Sequence, residues 1–254
     1  LELAPSGAYA GTVLAVHAVA ALCFLTTMTG WPGMGLALLI LGLGGAAAWN
    51  RALLRGVRSR VDADVADKFN GINQFTVTLS HGIQGLGSTT NENIFASRQV
   101  GRVDFNKIEG YGSRLQPISG PFSALIQAYG QYSGNSLLVP EQCGYGGRVF
   151  GRAYDPSQLL GDSCWMVSGE LRYDLPGGKL TVPDTQFYGY ADKGRVYLIE
   201  PAVGTALNNQ KGASAGGGVR LKWQNYLNVD LSANKAIEGP RDDWRFFFIT
   251  SARY

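Results

Sequence analysis

Two textures divide the chain. From Ala8 to Met28, and again from Met34 to Trp49, the residues are apolar almost throughout, whereas beyond residue 70 apolar and polar positions alternate with period two. The first run, broken only by His17 and threonines, spans about 30 Å as a helix, the thickness of a bilayer's hydrocarbon core. With the turn at Thr29–Gly33 and the second run, it predicts a transmembrane helical hairpin over residues 1–56; a packed-core hairpin of a soluble protein is the alternative. The basic cluster Arg51, Arg55, Arg58 and Arg60 follows, and the positive-inside rule then places it in the cytoplasm. Residues 57–70 are charged and short of large hydrophobics, which reads as a junction.

Beyond the junction, strands are predicted from alternation. Phe75–Ser80 is the first, and Asp104–Leu115 a less regular second. Phe122, Ala124, Ile126 and Ala128 then oppose Ser123, Leu125, Gln127, Tyr129 and Gln131. In 164–174, Trp165, Val167, Gly169, Leu171 and Tyr173 face one way and Met166, Ser168, Glu170, Arg172 and Asp174 the other. In 186–197, Tyr188, Tyr190, Asp192 and Gly194 share a face that the polar groups mark as inward. In 213–223 Val219, Leu221 and Trp223 are set outward against Arg220 and Lys222, and in 227–234 Leu227, Val229, Leu231 and Ala233 against Asn228, Asp230, Ser232 and Asn234. The last strand, 244–254, carries Phe246 and Phe248 and stops on Tyr254 with no tail. Between the third and fourth strands, residues 134–163 are too glycine-rich for a regular element and hold Arg148 and Arg152 among aromatics, the mark of a long shaped loop. The fold expected is mainly β: an antiparallel transmembrane β-barrel region of about eight strands over 71–254, preceded by the apolar hairpin. A soluble sandwich also buries one face, so alternation alone does not choose between the two.

Four stretches carry a resemblance: Phe-Gly-Arg-Ala-Tyr-Asp-Pro (150–156), Gly-Glu-Leu-Arg-Tyr (169–173), Tyr-Ala-Asp-Lys-Gly-Arg-Val (190–196) and the aromatic final strand. Together, over about residues 59–254, they resemble the two-partner-secretion transporters of the outer membrane, the haemolysin-activator family. The resemblance implies a pore exporting a large partner protein of haemolysin or adhesin type. Its partners would be that secreted protein, the outer-membrane assembly machinery and the lipid bilayer, with Phe246, Phe248 and Tyr254 as the assembly signal. It also implies that the long loop folds into the lumen. Its tip arginine, Arg152, next to the aromatic Tyr154, then pairs with Asp192 of the wall's Asp-x-Gly motif, completed by Gly194. The alternative is that Arg152 is a solvated loop arginine. Ala153 stands where that family has glycine, so a positive φ there would be strained by about 1 kcal/mol.

Those transporters have sixteen strands, so eight imply the C-terminal half. Two open edges are not viable in lipid. Either the strands close into a smaller barrel or the sequence is a truncated or fused reading frame. Residues 1–56, with Leu-Glu-Leu-Ala-Pro-Ser at the start and Trp-Asn-Arg-Ala-Leu-Leu-Arg-Gly at 49–56, resemble the YgfX-type two-helix inner-membrane proteins. That resemblance implies a different address, the inner membrane through residues 8–49, and a toxin-like or regulatory module.

Composition adds exclusions. A net charge of +3, with basic residues dispersed, argues against nucleic acid. Only two histidines, His17 and His81, are present, so a histidine triad or a multi-histidine metal site is excluded. Gly161-Asp162-Ser163 matches the start of a lipase nucleophile block over three residues only. No enzyme activity, cofactor or metal is expected. Of the three cysteines, Cys143 and Cys164 bracket the long loop, and a disulfide between them suits an oxidising periplasm; two free thiols are the alternative.

Overall fold

The computed structural model describes residues 38–47, 53–85, 88, 90, 91, 96–175, 183–199, 208–223, 226–240 and 242–252. Among them one antiparallel meander runs through β1 (Leu38–Ala47), β2 (Leu53–Ala66), β3 (Ile72–Gly82), β4 (Asn106–Ser119) and β5 (Phe122–Ser133). Two three-residue strands follow, β6 (Cys143–Tyr145) and β7 (Leu159–Gly161), which pair with each other as a separate hairpin. The meander resumes with β8 (Ser163–Leu175), which pairs with β5, and continues through β9 (Asp184–Tyr197), β10 (Asn209–Trp223), β11 (Leu227–Glu238) and β12 (Trp244–Ala252). The result is a ten-stranded sheet with β1 and β12 at its ends.

Connections alternate in length along the meander. At one end β2–β3 closes in a turn where the Asp67 carboxylate accepts the backbone N–H groups of Phe69 and Gly71 and Asn70 takes a positive φ of 60°. Arg114 hydrogen-bonds the same carboxylate and holds its pKa down at about 2. At the other end lie the long connection 83–105 and the connection 134–162 that carries β6 and β7.

The period-two pattern sorts the sheet into two faces. In β8, Met166, Ser168 and Glu170 are buried while Trp165, Val167 and Leu171 are exposed. In β9, Tyr188, Tyr190, Asp192, Gly194 and Val196 are buried while Phe187 is exposed. The outer face is therefore a broad apolar surface reaching from Phe75, Val77 and Leu79 on β3 to Phe246 and Phe248 on β12, which are 76% and 68% exposed. Among the described residues the larger core cluster lies on the inner face. Cys143, Tyr145, Ala153, Tyr154 and Leu159 of the 134–162 connection pack there against Cys164, Met166, Val196 and Ala236 of the wall. The long loop, rather than a second sheet, covers the inner face.

Three expectations need correction. The second apolar run does not continue the helical hairpin: Leu38–Ala47 is a strand, paired in register with Leu53–Asp62. Three glycines in those ten residues disfavour a helix by roughly 1 kcal/mol each relative to alanine, and a short apolar run carries no periodicity that separates helix from strand. The first run, Ala8–Met28, with His17 and Cys23, lies outside the described residues. Residues 57–66 are not a junction but most of β2, with Val57 and Val61 on the exposed side and Arg58, Arg60 and Asp62 on the other. The strand count is ten in the sheet, not about eight.

Candidate functional site

The site is the loop 134–162 and the wall beneath it, and its shape begins with glycine. Gly146, Gly147 and Gly151 all take positive φ, and a Cβ on Gly146 would sit 2.1 Å from the Asp155 carbonyl oxygen. These residues fold the tip, 146–156, back on itself: the Tyr154 N–H donates to the Gly151 carbonyl at 2.8 Å, and the Ser157 N–H to that of Gly146 at 3.1 Å. Ala153 does not occupy a left-handed position, since that role falls to Gly151, so the strain expected at the tip is absent there.

At its base the loop is fixed three ways. Cys143 and Cys164 are joined as a disulfide, with Cα atoms 6.4 Å apart, which ties β6 to the start of β8. Glu141, in a single 3-10 turn, forms ion pairs with Arg58 of β2 at 2.5 Å and with Lys107 of β4 at 2.9 Å. Asp162 is fully buried and accepts hydrogen bonds from Arg98 at 2.7 and 2.9 Å, from Gln142 at 3.1 Å, and from the backbone N–H groups of Leu137 and Ile199 at 2.8 and 2.7 Å. One carboxylate thus gathers the 83–105 connection, both ends of the loop and the segment after β9.

At its tip the loop docks on β8 to β12. Gly194 of β9 and Gly212 of β10 are direct cross-strand partners, and a Cβ on either would come within 2.5 Å of the Tyr145 ring. The two glycines leave a flat seat which that ring fills. Tyr145 then donates its hydroxyl to Asp192 at 2.5 Å, and Ser214 donates to the same carboxylate at 2.9 and 3.0 Å. Asp192 is therefore met by hydroxyls, not by a guanidinium.

The Arg152 guanidinium lies elsewhere. It pairs with Glu170 of β8 at 2.7 Å and stacks 4.1 Å from the centre of the Tyr190 ring. Glu170, almost fully buried, also takes Arg172 at 2.7 Å and Arg220 of β10 at 2.8 Å. In place of the expected Arg152–Asp192 ion pair, Arg152 pairs with Glu170 and Asp192 takes the Tyr145 and Ser214 hydroxyls. Tyr154 donates its hydroxyl to the Glu238 carbonyl at the end of β11, and Asp155 pairs with Arg245 of β12. Arg152, Tyr154, Asp192 and Gly194 do converge on one docking surface. Phe246 and Phe248 lie on the outer face of β12, away from it, and Tyr254 falls outside the described residues.

Tyr145, Glu170, Arg98 and Asp162 were not singled out from the sequence as parts of the site. Glu170 had a signal, its place on the charged face of an alternating strand. Asp162 had none, because its donors come from segments up to 64 residues away.

The disulfide closes a segment with a sequence separation of 21, for which the chain-entropy model gives about 3 kcal/mol. Reduction, or Cys143→Ser with Cys164→Ser, is expected to lower stability by about that amount in denaturant unfolding, and unreduced peptide mapping should recover the cross-linked pair. Two freely alkylatable thiols in folded protein would refute the bond.

A strand meander with an apolar outer face and a glycine-shaped loop docked on its polar inner face defines the class: a barrel wall with an inward-folded loop. The family described as "Haemolysin secretion/activation protein ShlB/FhaC/HecB" matches residues 64–221, and the chain belongs to it. Among solved structures it is similar to CdiB from Escherichia coli, with a TM-score of 0.64 and 15% identity over 81% of this chain and 38% of that one. It is also similar to CdiB from Acinetobacter baumannii, with a TM-score of 0.57 and 18% identity over 78% of this chain and 34% of the other. The chain therefore spans less than two-fifths of the length of either. No curated protein matches it.

Proposed function

We propose that the chain forms the C-terminal part of the wall of an outer-membrane transporter that exports a large partner protein, of haemolysin or adhesin type, in two-partner secretion. The loop 134–162 is its lumenal plug. The observation that carries this reading is the docking of that loop through Tyr145, Arg152, Tyr154 and Asp155 onto the inner face of five consecutive strands, in a chain of the haemolysin secretion family. The outer face meets lipid, because an apolar surface of that breadth is unfavourable in water. Open edges leave backbone N–H and C=O groups unsatisfied in hydrocarbon, so the ten strands act within a larger closed wall. Phe246 and Phe248, with Tyr254, present the aromatic strand that the assembly machinery reads. The reading assigns no enzymatic activity and no cofactor.

Fractionation of expressing cells tests it. Outer-membrane residence, with folded and heat-denatured forms migrating differently on gels, is the expected result; extraction with the inner membrane would overturn it. Facing supplies a second test. Leu171→Lys or Leu231→Lys, on the exposed face, is expected to cost about 2 to 4 kcal/mol at mid-membrane and to reduce the folded fraction, whereas Asn228→Lys on the inner face is tolerated. Equal tolerance on both faces would contradict a lipid-facing exterior.

A further inference from the structure

Between the loop tip and the inner face of β11 and β12 lies a cavity of about 310 Å³ lined by four arginines, Arg148, Arg152, Arg220 and Arg245, and by the carboxylates Asp155 and Asp230. Three of the arginines have acidic partners: Arg245 has Asp155, Arg220 has Glu170 and Asp230, and Arg152 has Glu170. Arg148 is exposed on the tip, with no carboxylate among the described residues paired to it. The lining thus holds four arginines and two carboxylates, and Arg148 is the arginine with no carboxylate partner among the described residues.

We propose that this cavity is an anion site taking a side-chain carboxylate of a polypeptide, held by the Arg148 guanidinium. Tyr188, Phe247 and Ile249 in the lining give the methylene stem of a glutamate an apolar wall. The guanidinium fork supplies the charge-assisted contact that orients a planar carboxylate. Arg148 also borders a larger cavity of about 930 Å³ that extends to Asp184 and Lys222 of the β9 and β10 ends, so the site opens onto space wide enough for an extended chain. The identity of the ligand as part of an exported polypeptide rests on the export reading above; the anion site itself rests on the four arginines of the lining and on Arg148 having no carboxylate partner among the described residues.

The test is binding to the full chain in detergent, read by fluorescence anisotropy, of a labelled capped hexapeptide alternating serine and glutamate. The glutamine counterpart and inorganic phosphate serve as comparison probes. The glutamate peptide is expected to bind at least tenfold more tightly than the glutamine peptide. Arg148→Gln should weaken it at least tenfold, Arg148→Glu should abolish it, and Lys235→Gln, which removes a charge paired with Asp242 outside the cavity, should leave it unchanged. Arg148 is exposed and outside the ion pairs of the loop, so its variants should fold, which heat-modifiable migration checks. Equal losses with Lys235→Gln would reduce the binding to net charge and overturn the site. Phosphate binding without peptide binding would overturn the carboxylate assignment. Outer-membrane residence without glutamate-peptide binding would overturn the site and leave the export reading standing; selective, Arg148-dependent binding by a chain found in the inner membrane would uphold the site and overturn that reading.

Discussion

Glu170→Ala is expected to undock the loop tip and to destabilise the folded chain by about 3 kcal/mol. The carboxylate is 3% exposed and is the shared acceptor of Arg152, Arg172 and Arg220. Removing one partner of a buried pair costs roughly 3–5 kcal/mol, because the stranded charge keeps its desolvation penalty. The lower end applies here, since Arg220 retains Asp230 and a 2.6 Å hydrogen bond to Gln186. Arg152 has no second acid, so its tip should lift from the Tyr190 ring. Glu170→Gln keeps one of the two acceptor oxygens and loses the charge, and should cost less than alanine. The readouts are denaturant unfolding and proteolytic cutting within 146–156, which the wild-type chain should resist. An Ala variant as stable and as resistant as wild type would show that the three arginines do not depend on this residue.

Asp162→Ala should be at least as damaging, at about 3 to 5 kcal/mol, and its effect should appear at the opposite end of the loop. Its carboxylate is fully buried, and replacing it removes the carboxylate that faces Arg98 and the acceptor of the Leu137 and Ile199 N–H groups. Arg98 would keep its contacts to the backbone carbonyls of Leu137 and Ile199. Faster hydrogen exchange at Leu137 and Ile199, together with protease cutting in the 83–105 connection, is the expected signature. Asp162→Asn, whose single side-chain oxygen can replace only one of the two carboxylate oxygens that accept the Leu137 and Ile199 N–H groups, and which carries no charge opposite Arg98, should fall between wild type and alanine. Exchange at Leu137 and Ile199 unchanged in Asp162→Ala would contradict the assignment of this carboxylate as the common anchor.

How much of this was legible depends on whether the cause is local. In β8, β9 and β11 one face meets polar groups and the other is apolar, so alternation alone assigns Glu170, Asp192 and Asn234 to the side where the structure buries them. β2 obeys the same rule, with Arg58, Arg60 and Asp62 alternating with Val57, Ser59 and Val61. Its inner face is so charged that the stretch reads as a linker unless the period is counted. β1 is different in kind. Its apolar run has no polar face to betray the period, and only pairing with β2 makes it a strand. The same division holds within the site. Facing put Asp192 inside, but the partner of Arg152 depends on how far a folded-back loop reaches across the wall, and nothing in the 146–156 stretch encodes that distance. Glycines give a partial signal: Gly194 and Gly212 mark a gap on the wall, and only the paired register reveals that they face one another and that Tyr145 fills it.

The central claim is that the loop lies against the inner wall with its arginine on Glu170. A double-mutant cycle between Arg152→Met and Glu170→Gln, measured by denaturant unfolding of the full chain, tests it most directly. The account predicts a coupling energy of about 1.5 to 3 kcal/mol, with the Arg152→Met and Asp192→Asn cycle clearly smaller, because Asp192 is met by the Tyr145 and Ser214 hydroxyls rather than by the guanidinium. Additivity of Arg152→Met and Glu170→Gln within about 0.3–0.5 kcal/mol would mean that the two side chains do not touch, and would contradict the docked loop.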